Sequence, residues 1–118
     1  MTINVENMRA WVAALRSGRY KQGLNRLRTD DRFCCLGVAC DISGLTQWTK
    51  NDMNQDVYFD LHRILPHEVQ TWLGVSSGDP DLLVNGLRTS AAYMNDYRGL
   101  TFAQIADAIE ETWPEVKQ

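Results

Sequence analysis

The stretch Arg32-Phe33-Cys34-Cys35-Leu36-Gly37-Val38-Ala39-Cys40-Asp41-Ile42-Ser43-Gly44 holds all three cysteines of the chain and its longest apolar run. Such a run gains most by leaving water, so it predicts the central core element, against which the other segments pack. Cys35, Leu36, Val38, Ala39 and Ile42 recur at three- and four-residue spacing, and Gly44 stands where a left-handed terminal residue belongs. Together they predict a short buried helix ending at Gly44. A buried strand is the competing reading. Gly37 and Ala39 are small enough to let another backbone come close.

The flanking segments carry their own local signals. Met8, Trp11, Val12 and Leu15 recur at helical spacing behind Asn4, which can cap, with Gly18 past the end. From Arg19 to Phe33 the period is lost. That segment reads as a connector with short extended pieces around Leu24 to Leu27, turning at Thr29-Asp30-Asp31, so that a hairpin leads into the cysteine segment. Thr46 to Thr49 and Asp56 to Asp60 are rich in β-branched and aromatic residues and predict a second hairpin across the polar Asn51 to Gln55. Pro66 fits the first turn of a short helix with Val69, Trp72 and Leu73 on one face and Gly74 at its end.

Leu82-Leu83-Val84 is a strand or an extended connector, and Thr89 or Ser90 caps a short helix that stops near Asn95-Asp96. The last helix is the best marked. Thr101 caps it, Gln104 completes a capping box, Leu100 and Ile105 hold staple positions, and Phe102, Ile105, Ala106, Ile109 and Trp113 form its apolar stripe before Pro114. The expected fold is α+β: one small domain over residues 1–118, with several short helices packed on one or two short β-hairpins.

A chain of 118 residues with 44% hydrophobic content suits one core. Its net charge of −3 and pI near 5.2 argue against a general nucleic-acid or anionic-membrane surface. Charge is nevertheless uneven: Arg16, Arg19, Lys21, Arg26, Arg28 and Arg32 crowd one window, whereas the last helix carries Asp107, Glu110 and Glu111. Three cysteines, two of them adjacent and all in an apolar run, fit reduced structural thiols of a cytoplasmic protein better than a disulfide framework. The first residues lack the basic and apolar regions of a signal peptide, and no apolar stretch reaches the length of a membrane span.

Cys34 or Cys35 at a helix start would feel a positive dipole, and with His62 or His67 would form a cysteine-dependent hydrolase or transferase site. The plainer reading is a buried small hydrophobe, with His67 a solvated helix residue and His62 half buried. No paired ligand spacing appears among the histidines and cysteines, so no metal is expected, and no cofactor.

Tyr20-Lys21-Gln22-Gly23 places an aromatic, a cation, an amide and a flexible residue just past a helix end. Lys21 and Arg26 would hold a phosphate, unless Lys21 is only solvated and Gly23 only serves a turn. Asn95-Asp96 is either a turn or an amide and carboxylate that read a base or ribose. Tyr20, Trp48, Tyr58 or Trp72 would stack on a base, although Trp72 has core spacing.

The blocks Leu15 to Gly23, Phe33 to Asp41, Leu65-Pro66 with Trp72, Met94-Asn95-Asp96 and Thr101 to Ala106 resemble a family of small bacteriophage and prophage proteins. The resemblance covers most of the chain, with Thr46 to Asp60 matching least, and implies viral origin and the host bacterial cytoplasm. The family brings no settled activity. Small phage proteins without catalytic signatures often act against host defence, and one class sequesters nucleotide-derived immune signals.

The leading expectation is therefore a non-enzymatic pocket protein, oligomeric, that binds a small phosphorylated nucleotide of the cyclic ADP-ribose or cyclic dinucleotide kind. Lys21 and Arg26 would take phosphate, Gln22, Asn95 and Asp96 base or ribose, and Tyr20 or Trp48 would stack. A cysteine-dependent enzyme is one alternative. The other is an inhibitor docking on a host enzyme through a face such as that of Asp107, Glu110 and Glu111. The first helix, the Cys35 segment and the Thr101 helix should form one core, with the loops at Tyr20 to Gly23 and Asn95 to Gly99 side by side at its rim, where they form the pocket.

Overall fold

The computed structural model describes residues 2–118. Its first helix, α1 (Val5–Arg16), begins where Asn4 Oδ1 accepts the Asn7 N–H at 3.0 Å and buries Met8, Trp11, Val12, Ala14 and Leu15. Three short strands follow: β1 (Lys21–Gln22), β2 (Arg28–Thr29) and β3 (Arg32–Phe33). β2 and β3 form the expected hairpin, but pairing starts at Arg28, and Leu24 to Leu27 remain outside the strands. β1 adds to β3 in parallel, with Lys21 opposite Arg32 and Gln22 opposite Phe33, an arrangement no local pattern announces.

The cysteine segment is the helix α2 (Cys35–Ser43), ending at Gly44 with φ of 62°. Cys35 through Cys40 are buried. A helix can be enclosed in this way because its backbone groups pair within it, whereas a strand would need partners on its edges. Gly37 permits the enclosure: a Cβ there would stand 1.7 Å from the Leu27 carbonyl oxygen. Trp11 Nε1 donates to the Cys35 carbonyl at 2.9 Å, which joins α1 to the start of α2.

The second hairpin consists of β4 (Thr49–Lys50) and β5 (Asp56–Val57), whose register sets Lys50 opposite Asp56 and Thr49 opposite Val57. Helix α3 (His67–Leu73) has Pro66 as its N-cap and Gly74 as its C-cap, and buries Val69 and Leu73. β6 (Asp81–Val84) is a strand, paired with β7 (Leu87–Ser90) across a tight Asn85-Gly86 turn. β7 was not expected; its Leu87-Arg88-Thr89-Ser90 sequence is held extended by pairing with β6.

Ser90 caps α4 (Ala91–Asp96), and Thr101 with Gln104 forms the expected capping box of α5 (Phe102–Thr112). Phe102, Ile105, Ala106 and Ile109 are buried, and Arg16 of α1 reaches Asp107 at 2.6 Å and Glu110 at 2.7 Å on α5. Residues of α1, α2, α3, α4 and α5 belong to one buried apolar cluster, so the helices expected to share a core do so. The fold is α+β, with five α-helices and small sheets of two or three strands among the described residues. No helix among the described residues is long and apolar enough to cross a membrane.

Candidate functional site

The two loops expected to meet do meet, at Asn95. This residue is fully buried, and its amide is used completely. Oδ1 accepts from Gln22 Nε2 at 2.9 Å and from the Cys35 N–H at 3.2 Å, while Nδ2 donates to the Gly23 carbonyl at 2.8 Å and to Asp96 Oδ1 at 2.9 Å. An amide has two acceptor sites and two donors, so nothing is left over for a ligand. Gln22 Nε2 also donates to the Leu100 carbonyl at 2.8 Å, and Asp96 Oδ1 accepts the Asn25 N–H at 2.9 Å. Gln22, Asn95 and Asp96 thus converge by bonding to one another and to backbone groups of Gly23, Asn25, Cys35 and Leu100. An open concavity of about 290 Å³ lies over Gln22, Leu24 and Asn95.

Lys21 is exposed and pairs with Asp31 at 2.8 Å, and this hydrogen bond holds the Asp31 carboxyl below its ordinary range. Tyr20 and Trp48 share Asp41: the phenol donates to Oδ2 at 2.6 Å and the indole N–H to Oδ1 at 3.0 Å. Burial first, then the hydrogen bond to Asp41, pushes the Tyr20 hydroxyl up to about 12. Tyr20, Phe33, Trp48 and Tyr58 form a chain of ring contacts at 5.1, 5.9 and 4.9 Å.

The thiols are enclosed. Burial pushes Cys34 up to about 12, outweighing the N–H groups of Leu36 and Gly37 at the helix start, and raises Cys35 and Cys40 well above the ordinary thiol value. His62 is half-buried and meets the core through its backbone carbonyl, which accepts the Leu27 N–H at 2.8 Å; His67 is exposed. No group of three or more His, Cys, Asp or Glu residues among the described residues is placed to hold a metal ion.

Arg26 leads to a different place. It lines a cleft of about 200 Å³ between the two hairpins, with Arg28 and Asp30 on one wall and Lys50, Gln55 and Asp56 on the other. Arg26 and Arg28 flank the fully buried Leu27, the alternation of an extended segment with one face inward. Asp56 is nearly buried; its Oδ1 lies 3.1 Å from Lys50 Nζ and its Oδ2 accepts the Asp30 N–H at 3.1 Å. Arg28 Nε donates to the Asp30 carbonyl at 2.7 Å, and its guanidinium carbon lies 5.4 Å from the Phe33 ring and 5.5 Å from that of Trp48.

Gln55 sits between two donors in this cleft. One terminal atom of its amide lies 2.7 Å from Arg26 Nη1 and 3.2 Å from Nη2; the other lies 2.9 Å from Asn51 Nδ2. Asn51 cannot turn to relieve this, because its Oδ1 already accepts the Met53 and Gln55 backbone N–H groups, each at 3.0 Å. However Gln55 is oriented, its oxygen serves one neighbour and its NH₂ group faces the other. The cleft lining carries three cations, Arg26, Arg28 and Lys50, against two carboxylates, Asp30 and Asp56. A larger concavity of about 310 Å³ beside Gly74 and Trp113 shows no such surplus, since Arg88 is its only cation and Asp81 shares its wall.

Of the residues expected to bind, Arg26 alone lines the cleft, and Trp48 reaches it only through its contact with the Arg28 guanidinium. Lys50, Gln55 and Asp56 were not anticipated because only the packing of the second hairpin against the first brings them to Arg26. The alternation of Arg26, Leu27 and Arg28 was the available signal for Arg28.

Residues 3–113 match a family described as a domain of unknown function, DUF8296. The chain belongs to this family. The matched span contains both hairpins, the cleft and the Asn95 network, so the family's domain includes the whole candidate site. No curated protein and no solved structure matches the chain.

Proposed function

We propose that this chain binds a small phosphorylated ligand of nucleotide-derived type in the cleft between its hairpins, and holds it without reacting it. The observation that carries this reading is the donor surplus around Gln55. A phosphate brings oxygens that only accept, so it would let Gln55 turn toward Asn51 while the Arg26 fork pairs with the ligand. Lys50, steered by Asp56, and Arg28, steered by the Asp30 carbonyl, add positive charge to the same walls. Buried thiols with raised pKa support binding over covalent chemistry. Taken with the resemblance to small phage proteins, the role of such binding is removal of a nucleotide-derived defence signal from the host cytoplasm.

Calorimetry with inorganic phosphate, adenosine monophosphate and adenosine tests the reading. Saturable heat with the two phosphorylated probes and none with adenosine is the expected result. Absence of heat from both phosphorylated probes at millimolar concentration would remove the reading.

A second reading, a protein-contact surface, has its own observation. Ile64, Tyr93 and Tyr97 are exposed along one groove, and the two tyrosine rings lie 5.5 Å apart. Exposed aromatics of this kind are enriched at interfaces. The acidic face of α5 is less available, because Asp107 and Glu110 hold Arg16 and Glu111 accepts the Asn85 and Gly86 N–H groups. Sedimentation over a dilution series should show self-association that Tyr97→Ser abolishes; a concentration-independent monomer would exclude the homo-oligomeric form of this reading.

A further inference from the structure

We infer that the ligand of the hairpin cleft carries a planar aromatic ring that stacks on the Arg28 guanidinium, making Arg28 the residue that separates nucleotides from simpler phosphates; this rests on the phosphate reading above. Arg28 is fixed more firmly than a cation serving charge alone would need to be. Its guanidinium packs against Phe33 and Trp48, and its Nε is held by the Asp30 carbonyl. The platform behind it is itself anchored, because the Trp48 indole donates to Asp41 and its ring lies 4.9 Å from that of Tyr58.

The β2–β3 register places Arg28 directly opposite Phe33, so the contact follows from strand pairing rather than from a free side chain settling on a surface. The remaining surface of Arg28 forms part of the cleft wall beside Arg26. A guanidinium is planar and weakly hydrated, and nucleic-acid bases stack readily on its face. Trp48, one of the two residues expected to stack, instead contacts the Arg28 guanidinium at 5.5 Å, and Arg28 meets the ring. A phosphate on Arg26 and a ring on Arg28 would then be read by two residues of one extended segment.

The test compares adenosine monophosphate with ribose phosphate on the wild-type chain and on Arg28→Lys, which keeps the charge and loses the plane. Wild type should bind adenosine monophosphate about ten-fold more tightly than ribose phosphate, as stacking of one ring requires. Arg28→Lys should bring the two ligands to equal affinity, with the larger loss falling on adenosine monophosphate. The intrinsic tryptophan fluorescence of the wild type, one of whose four indoles is Trp48, should respond to adenosine monophosphate more than to ribose phosphate, and Trp48→Phe should remove that difference, which keeps the test open if Arg28→Lys does not fold.

Equal loss of both ligands in Arg28→Lys would overturn the inference and reduce Arg28 to a charge contact. Equal affinity of both ligands for the wild type, with equal fluorescence responses, would also overturn it while sparing the phosphate reading. Failure of the wild type to bind either ligand or inorganic phosphate would overturn the phosphate reading, and the inference with it.

Discussion

Asn95 Oδ1 accepts the backbone N–H of Cys35 at 3.2 Å, across 60 positions of sequence. Cys34, the N-cap of α2, makes no side-chain capping bond, so a residue on α4 partners a donor at the start of the central helix. The same amide ties Gln22 and Gly23 into place, and a cap, a loop anchor and a helix contact therefore depend on one buried side chain.

Asn95→Ala should consequently destabilise the fold by about 3 kcal/mol, since it strands several buried partners at once. Urea unfolding of variant and wild type measures this. A loss below about 1 kcal/mol would mean that water replaces the amide and that the network is not structural.

Gly37 and Gly44 separate two causes of glycine sensitivity. Gly44 has φ of 62° but open space around it, so Gly44→Ala should cost about 1 kcal/mol of backbone strain. Gly37→Ala would press a methyl group into the Leu27 carbonyl and should cost more than about 3 kcal/mol or prevent folding. Thermal denaturation of the two variants gives the order, and equal midpoints would contradict the close approach of α2 to Leu27.

The cysteines set an alkaline limit on stability. An exposed thiol titrates near 9.0, whereas burial pushes that of Cys34 up to about 12. Below 9.0 both folded and unfolded chains keep the proton, and stability has its full value; above it the unfolded chain releases protons first, so stability falls as pH rises toward about 12. The urea midpoint should drop as pH rises from about 9 to about 11, and iodoacetamide should label the folded protein slowly until denaturant is added. Rapid labelling of Cys34 in the folded chain at neutral pH would favour the cysteine-dependent enzyme, the alternative reading, over binding alone.

Arg26→Ala should weaken binding of adenosine monophosphate about ten-fold or more, with stability changed by less than about 1 kcal/mol, because a charge-assisted fork is lost from a half-buried site. Lys21 lies outside the cleft and pairs with Asp31, so Lys21→Ala should leave affinity within about two-fold. The reverse pattern would move the ligand to the loops around Asn95.

Much of the helical architecture was legible because its causes are local. Asn4, Thr101 with Gln104, Ser90, Gly44 and Gly74 mark helix ends through groups only a few residues apart, and the apolar spacings of α1 and α5 name their buried faces. The meeting of Gln22 with Asn95 also followed from reading two loops at helix ends, but its use did not, since only packing decides whether an amide is spent on backbone or left for a ligand. β1 beside β3, β7 beside β6, and Lys50 opposite Asp56 depend on strand registers whose short sequences bear little pattern of their own. The residues themselves therefore determined which segments are helices, which cysteines are enclosed and where charge is concentrated. Tertiary structure alone decided that Arg26, Arg28, Lys50 and Gln55 share a cleft, because hydrogen-bonded pairing and burial bring together side chains that the chain keeps apart.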